Sequence, residues 1–336
     1  MYDQIMLFAF GLILLIKGGD WFVDGATAIA RKFHLPELLI GATVVSIGTT
    51  LPEVMVSATS AAAGQGGMAY GNAIGSIICN TSLIAAVTIA IKPSKAERKT
   101  LILPACFFFG AAIFYAGNAY IFGRFSRLTG VILLLGFVAY MTVIVLQMIK
   151  KPVSETDDLY TTEVLADVPE YELENKPLWQ AVVFLVLGAA IIAVGADLLV
   201  DNGTKIAQAL GVPETVIALT FVALGTSLPE LVTAITSLLK GHGSLSLGNI
   251  IGANLFNLVL VSGVSVVINP FDVPAASTIF GMNASFVLDI PVMLGVMALM
   301  IVPVLIRQKL SRIQGIGLLC IYAAYCAVQF AMPLFA

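Results

Sequence analysis

Two hexapeptides carry chemistry that their surroundings do not call for: GTTLPE at 48–53 and GTSLPE at 225–230, each embedded in an apolar run. Each sets a glutamate, Glu53 or Glu230, four residues after a threonine, Thr49 or Thr226, so that the two side chains share a helix face. Ser46, Thr50 and Ser57 fall near the same stripe in the first copy, and Ser227 in the second. A carboxylate at the centre of a membrane helix costs about 2.5–3.5 kcal/mol on the insertion scale. It needs a compensating partner. The apolar stretches 36–62, 70–91, 213–239 and 246–268 contain no lysine or arginine, and Lys240 stands just past the end of one. A bound cation or a proton is left as the answer, and the hydroxyl and amide oxygens nearby suit a hard cation.

The prolines belong to the same device. Pro52 and Pro229 lack an N–H, so the carbonyls of Gly48 and Gly225 lose their helical partners and become available to an ion. Both copies are therefore expected to interrupt their helices, which lipid tolerates only where the backbone is buried or lines a cavity. The following stretches add Asn72, Ser76 and Asn80 at i, i+4 and i+8 of one face, with Asn249, Ala253 and Asn257 as counterparts. Gly71 with Gly75, and Gly248 with Gly252, form small-xxx-small pairs expected to let these helices pack closely.

These residues must be positioned by membrane helices. The 336-residue chain is 59% hydrophobic and 11% charged, with a mean hydropathy of +0.99, far from the makeup of a soluble domain. Ten apolar spans are expected, at 3–30, 36–62, 70–91, 100–119, 127–149, 178–208, 213–239, 246–268, 280–305 and 313–334. Residues 1–16 lack a basic start and a cleavage site, so they read as a retained first helix. A polar segment at 151–177 with eight acidic side chains separates a first five-span half, 1–150, from a second, 178–336. Nucleic acid is not an expected partner; the bilayer is. The four cysteines lie in apolar spans without ligand spacing and read as packing residues.

The halves are copies. Shifted by 177 positions, residues 20–80 align with 197–257 without a gap, and 25 of 61 positions are identical. Five spans per copy is odd, so the second copy enters the bilayer from the opposite side, giving inverted repeats. With both termini outside, thirteen lysines and arginines fall in inner loops and only Arg124 and Arg127 in outer ones, which places the acidic linker in the cytoplasm. Asp20, Asp24, Asp197 and Asp201 fit either an interfacial or an ion-guiding role, and Asp289 has no repeat partner.

The stretches GATVVSIGTTLPEVMVSATS with GNAIGSIICN, and ALTFVALGTSLPELVTAITS with GNIIGANLFN, resemble the two alpha repeats of the calcium/cation antiporter superfamily. Sodium/calcium exchangers are its best-known members, and the size of the chain resembles the prokaryotic ones. The resemblance implies an all-α integral membrane protein of ten helices in two inverted repeats, with no enzymatic activity and no cofactor. It implies that Glu53 and Glu230 are shared Ca²⁺ and Na⁺ ligands, helped by Thr49 and Thr226. Ser46, Thr50, Ser76, Asn80, Ala223 and Ser227 would complete flanking Na⁺ sites. Two positions depart from the commonest pattern: Ala253 stands where serine is usual, and the candidate ligand Asn257 where some branches, notably potassium-dependent ones, carry aspartate. Two ionised glutamates balance one Ca²⁺, whereas three Na⁺ would leave one positive charge and make exchange electrogenic. Two close carboxylates also repel, which leaves a proton-coupled cation exchanger as the alternative reading.

Overall fold

The computed structural model of the protein describes residues 2–33, 35–93, 98–150, 177–209, 225–275, 278–279 and 281–335. The acidic segment at 151–176 and the first part of the seventh expected span, including Ala223, lie outside the described residues. Among the described residues the helices are α1 (Tyr2–Lys32), α2 (Glu37–Ala62), α3 (Gly66–Ile91), α4 (Arg98–Phe122), α5 (Arg127–Lys150), α6 (Leu178–Ala209), α7 (Leu228–Leu239), α8 (Gly243–Ile268), α9 (Ser285–Arg307) and α10 (Arg312–Phe335). Eight of these, α1 to α6 with α8 and α9, are long and apolar enough to cross a membrane, and α7 is a shorter apolar helix. The protein is an all-α membrane protein. Its only strands among the described residues are two-residue pairs in loops: Arg124–Phe125 with Phe271–Asp272, and Thr278–Ile279 with Met282–Asn283.

Local sequence explains several boundaries. Gly64 at φ +77 and Gly241 at φ +85 turn the chain just after α2 and α7; they are repeat equivalents, and the left-handed region is open to glycine without strain. Within α2, α3 and α8 the winding loosens to π geometry at Gly41–Val45, Asn80–Ala85 and Asn257–Val261. The last two begin on the repeat-equivalent asparagines.

The chain forms two compact units. The first comprises Met1–Thr49 and Met141–Asn249. Its core lies along α1 and α6, where Phe22, Val23 and Ala26 are buried with Ile192 and Ala196. A Cβ added at Gly11 would lie 2.9 Å from the Gly195 carbonyl oxygen, and one at Gly25 would lie 2.5 Å from the Leu185 nitrogen. The heptad-spaced Gly11, Gly18 and Gly25 thus let the two backbones touch. The second unit comprises Thr50–Tyr140 and Ile250–Ala336. An aromatic stack anchors one part of it, with Phe125 4.4 Å from Tyr115 and 5.6 Å from Phe271 between ring centroids. The division passes between Thr49 and Thr50, so α2 contributes to both units.

Candidate cation-binding site

In the first unit, Ser46 and Thr49 on α2 meet Asn249 on α8. The Ser46 hydroxyl lies 2.7 Å from the Gly41 carbonyl, 2.9 Å from the Asn249 carbonyl and 3.2 Å from Asn249 Oδ1. The Thr49 hydroxyl donates to the same Oδ1 at 3.2 Å. Each hydroxyl spends its proton on Asn249 or a carbonyl, and its oxygen lone pairs stay available to a cation. Bond formation here depends on the close approach at Gly248, where a Cβ would collide with the Leu38 carbonyl oxygen.

Glu230 in the same unit is fully buried, at 0% exposure. It lies in the first turn of α7, where the unsatisfied N–H groups of the helix carry partial positive charge and favour a carboxylate. Thr226 and Ser227 form the turn before it, Thr226 half-buried and Ser227 buried. Pro229 occupies the first turn, a position with no helical N–H bond to lose. Thr233 and Ser237, on the glutamate's face of α7, have buried hydroxyls with no hydrogen-bond partner among the described residues. Sequence reasoning passed over both; their spacing of three and seven from Glu230 was the available signal.

In the second unit Glu53 is also 0% exposed, and Thr50, Ser57 and Ser76 are buried. Asn72 Nδ2 donates to the Glu53 carbonyl at 3.2 Å and to the Ser57 hydroxyl at 2.8 Å, tying α3 to the middle of α2. Asn80 and Asn257 are both 0% exposed, and neither amide has a hydrogen-bond partner among the described residues. Leaving a buried amide unsatisfied costs about 1–3 kcal/mol. The two amides stand at repeat-equivalent positions, and each opens a π segment. The carbonyl of Asn257 accepts from the Ser262 hydroxyl at 3.1 Å, just as Gly41 accepts from Ser46 five residues on.

Two expectations need correction. The first motif copy does not interrupt its helix: Pro52 sits inside a helical run that continues to Ala62. The ring removes one N–H without ending the helix, because the residues on either side keep helical geometry. Nor do Gly71 and Gly75 pack α3 closely: a Cβ at either would meet nothing within 4 Å. Both line an open cavity instead. Ala253 is buried and offers no side-chain oxygen.

No group of three or more His, Cys, Asp or Glu side chains suited to a metal occurs among the described residues. The candidate ligands are two buried carboxylates, and the buried hydroxyls and amides described with each supply the oxygen chemistry that hard cations take. The sequence profile of the sodium/calcium exchanger protein family matches residues 4–146 and 180–331. The chain belongs to that family. Its members are transporters, and the family exchanges cations, calcium among them. The sodium/calcium exchanger MaX1 of Methanosarcina acetivorans is 29% identical over 97% of this chain and 98% of its own length. The inner membrane protein YrbG of Escherichia coli K12 is 34% identical over 78% of this chain and 79% of its own length. A solved structure of the sodium-calcium exchanger NCX_Mj, soaked with Na⁺ and Sr²⁺, superposes with a TM-score of 0.78 at 32% identity, covering 97% of this chain and 98% of that one.

Proposed function

We propose that this exchanger couples Na⁺ entry to Ca²⁺ export across the cell (inner) membrane by alternating access. Ten spans in two inverted repeats of five, with both termini outside and the acidic segment inside, are the arrangement that lets one site face either side. Glu53 and Glu230 carry the charge, with Thr49, Thr226, Thr50, Ser227, Ser46, Ser76, Asn80 and Asn257 as the neutral oxygen donors. The observation that supports this reading most is the complete burial of both glutamates, each at 0% exposure in stretches without basic residues. The unsatisfied amides of Asn80 and Asn257 supply the second line of support. Exchange of three Na⁺ for one Ca²⁺ would carry one net charge inward, worth about 2.3 kcal/mol per 100 mV. An inside-negative potential then drives calcium out.

Flux of ⁴⁵Ca²⁺ into proteoliposomes tests the reading. A sodium gradient is expected to drive uptake and a pH gradient alone is not. Glu53→Gln and Glu230→Gln are each expected to lower the flux at least a hundredfold. Uptake driven by the pH gradient alone would replace sodium coupling with proton coupling, and wild-type flux in the double variant would refute the site.

A further inference from the structure

The second unit holds an ionisable group outside the repeated motifs. Asp289 stands where the π segment Ser285–Asp289 passes into the rest of α9, and it has no repeat partner. It opens onto a cavity of about 290 Å³ lined by α3, α9, α10 and the loop before α9. Tyr325 donates to Asp289 Oδ1 at 3.1 Å and Gln329 to the same oxygen at 2.9 Å; Gln329 Nε2 also lies 2.9 Å from the Tyr325 hydroxyl. These donors are neutral. No lysine, arginine or histidine lines the cavity, and among the described residues no ion pair reaches Asp289.

The opposite wall is the glycine pair of α3. Gly71 and Gly75 would accommodate a Cβ without contact, and alanine would favour the helix by about 1 kcal/mol at each position. Glycine here keeps space open rather than bringing helices together. A proton on Asp289 would need no such space, whereas a cation with part of its hydration shell does, and the volume has room for several waters. One carboxylate matches one monovalent charge; a divalent ion would leave one positive charge without a counter-charge in the cavity.

We propose that this cavity is a second cation site, separate from Glu53 and Glu230, in which Asp289 binds an alkali cation with oxygens of Tyr325, Gln329 and Ser285 nearby. It does not depend on the exchange reading. The test is equilibrium binding of ²²Na⁺ to the full chain carrying E53Q and E230Q, reconstituted in lipid nanodiscs. One saturable site per chain is expected to remain. Adding Asp289→Asn is expected to weaken it at least tenfold. So is Gly75→Leu, which fills the cavity and leaves the carboxylate in place. Each variant is checked by its melting profile, and if Asp289→Asn fails to fold, the Gly75→Leu arm decides. Displacement of ²²Na⁺ by K⁺ at similar concentration would make the site a general alkali site, and displacement by Na⁺ alone a sodium site; both support the proposal. Absence of saturable binding in the E53Q/E230Q chain, or binding untouched by the added variants, would overturn it. Comparison of that chain with wild type reads the exchange site separately, so the two readings fail independently.

Discussion

GTTLPE and GTSLPE differ at one residue of six, yet they are folded in two ways. In the first, Pro52 is held within a helix and Glu53 lies in mid-helix. In the second, Thr226 and Ser227 make a turn, and α7 begins at Leu228 with Pro229 and Glu230 in its first turn. Glu230 thus benefits from a helix N-terminus, worth about 0.3–1 kcal/mol where exposed and more where shielded, and Glu53 does not. The residue types fix which chemistry is present. The neighbours decide what backbone presents it, and they make two equal carboxylates electrostatically unequal.

The following helices diverge likewise. Gly248 is pressed against the Leu38 carbonyl, while its equivalent Gly71 faces a cavity. Asn249 holds Ser46 and Thr49 of the other repeat, while its equivalent Asn72 holds Ser57 and the backbone of Glu53 in its own. The equivalence is one of sequence, and each copy uses it for a different contact.

Substituting the two glycines gives the largest contrast in stability. Gly248→Ala must move a backbone, since the new methyl would overlap a carbonyl oxygen, and a loss of about 3 kcal/mol is expected. Gly71→Ala meets open space and is expected to gain up to about 1 kcal/mol from helix propensity. Thermal unfolding of the purified variants in one detergent should show shifts of opposite sign. Equal losses would mean that Gly71 is packed after all, and the contrast between the copies would disappear.

Much of this was legible beforehand. Hydropathy and punctuation placed α4 at 100–119 against the observed Arg98–Phe122, and α10 at 313–334 against Arg312–Phe335. The doubled motif pointed to both buried glutamates and to Asn80 and Asn257. Backbone form at the prolines was not legible, because a proline carries the same local constraint in a helix interior and in a first turn, and only the surrounding chain chooses between them. The role of Gly71 was missed for a related reason. Small-xxx-small spacing says that a close approach is permitted; the residues that face Gly71 across the cavity are distant in sequence, Asp289 by 218 positions. The π segments left no periodic signal, since one extra residue per turn is lost among apolar neighbours.

The prolines give the next contrast. Pro52→Ala restores an N–H opposite the Gly48 carbonyl, in a helix interior where proline costs about 3 kcal/mol. A gain in stability of about 1–3 kcal/mol is expected, together with slower exchange if that carbonyl serves an ion. Pro229→Ala adds an N–H in a first turn that has no helical acceptor, so its stability is expected to stay within about 0.5 kcal/mol. The readouts are melting of each variant and sodium-driven ⁴⁵Ca²⁺ flux. A Pro52→Ala protein no more stable than Pro229→Ala would show that the first copy is as broken as the second.

The smallest contrast concerns the aspartates of α1 and α6. Lys240, just past the end of α7, lies 2.7 Å from Asp24 and 3.4 Å from Asp20, with side-chain exposures of 12% for the lysine, 16% for Asp24 and 36% for Asp20. It also donates to the Asp20 carbonyl at 3.1 Å. The repeat equivalent of Lys240 is Ala63, and Asp197 and Asp201 are exposed. An exposed pair contributes about 0.2–1 kcal/mol, and breaking a buried one costs about 3–5. This pair is shielded at the lysine and Asp24 but open at Asp20, so Lys240→Met is expected to cost about 1–2 kcal/mol, less in high salt. Asp201→Asn should change stability by no more than about 0.5 kcal/mol. The clamp fastens the end of the glutamate-bearing helix α7 to α1, and nothing in the sequence supplies the other repeat with a basic residue at the matching place. A Lys240→Met protein as stable as Asp201→Asn at low salt would reduce the clamp to a solvated contact, and would remove this difference between the copies.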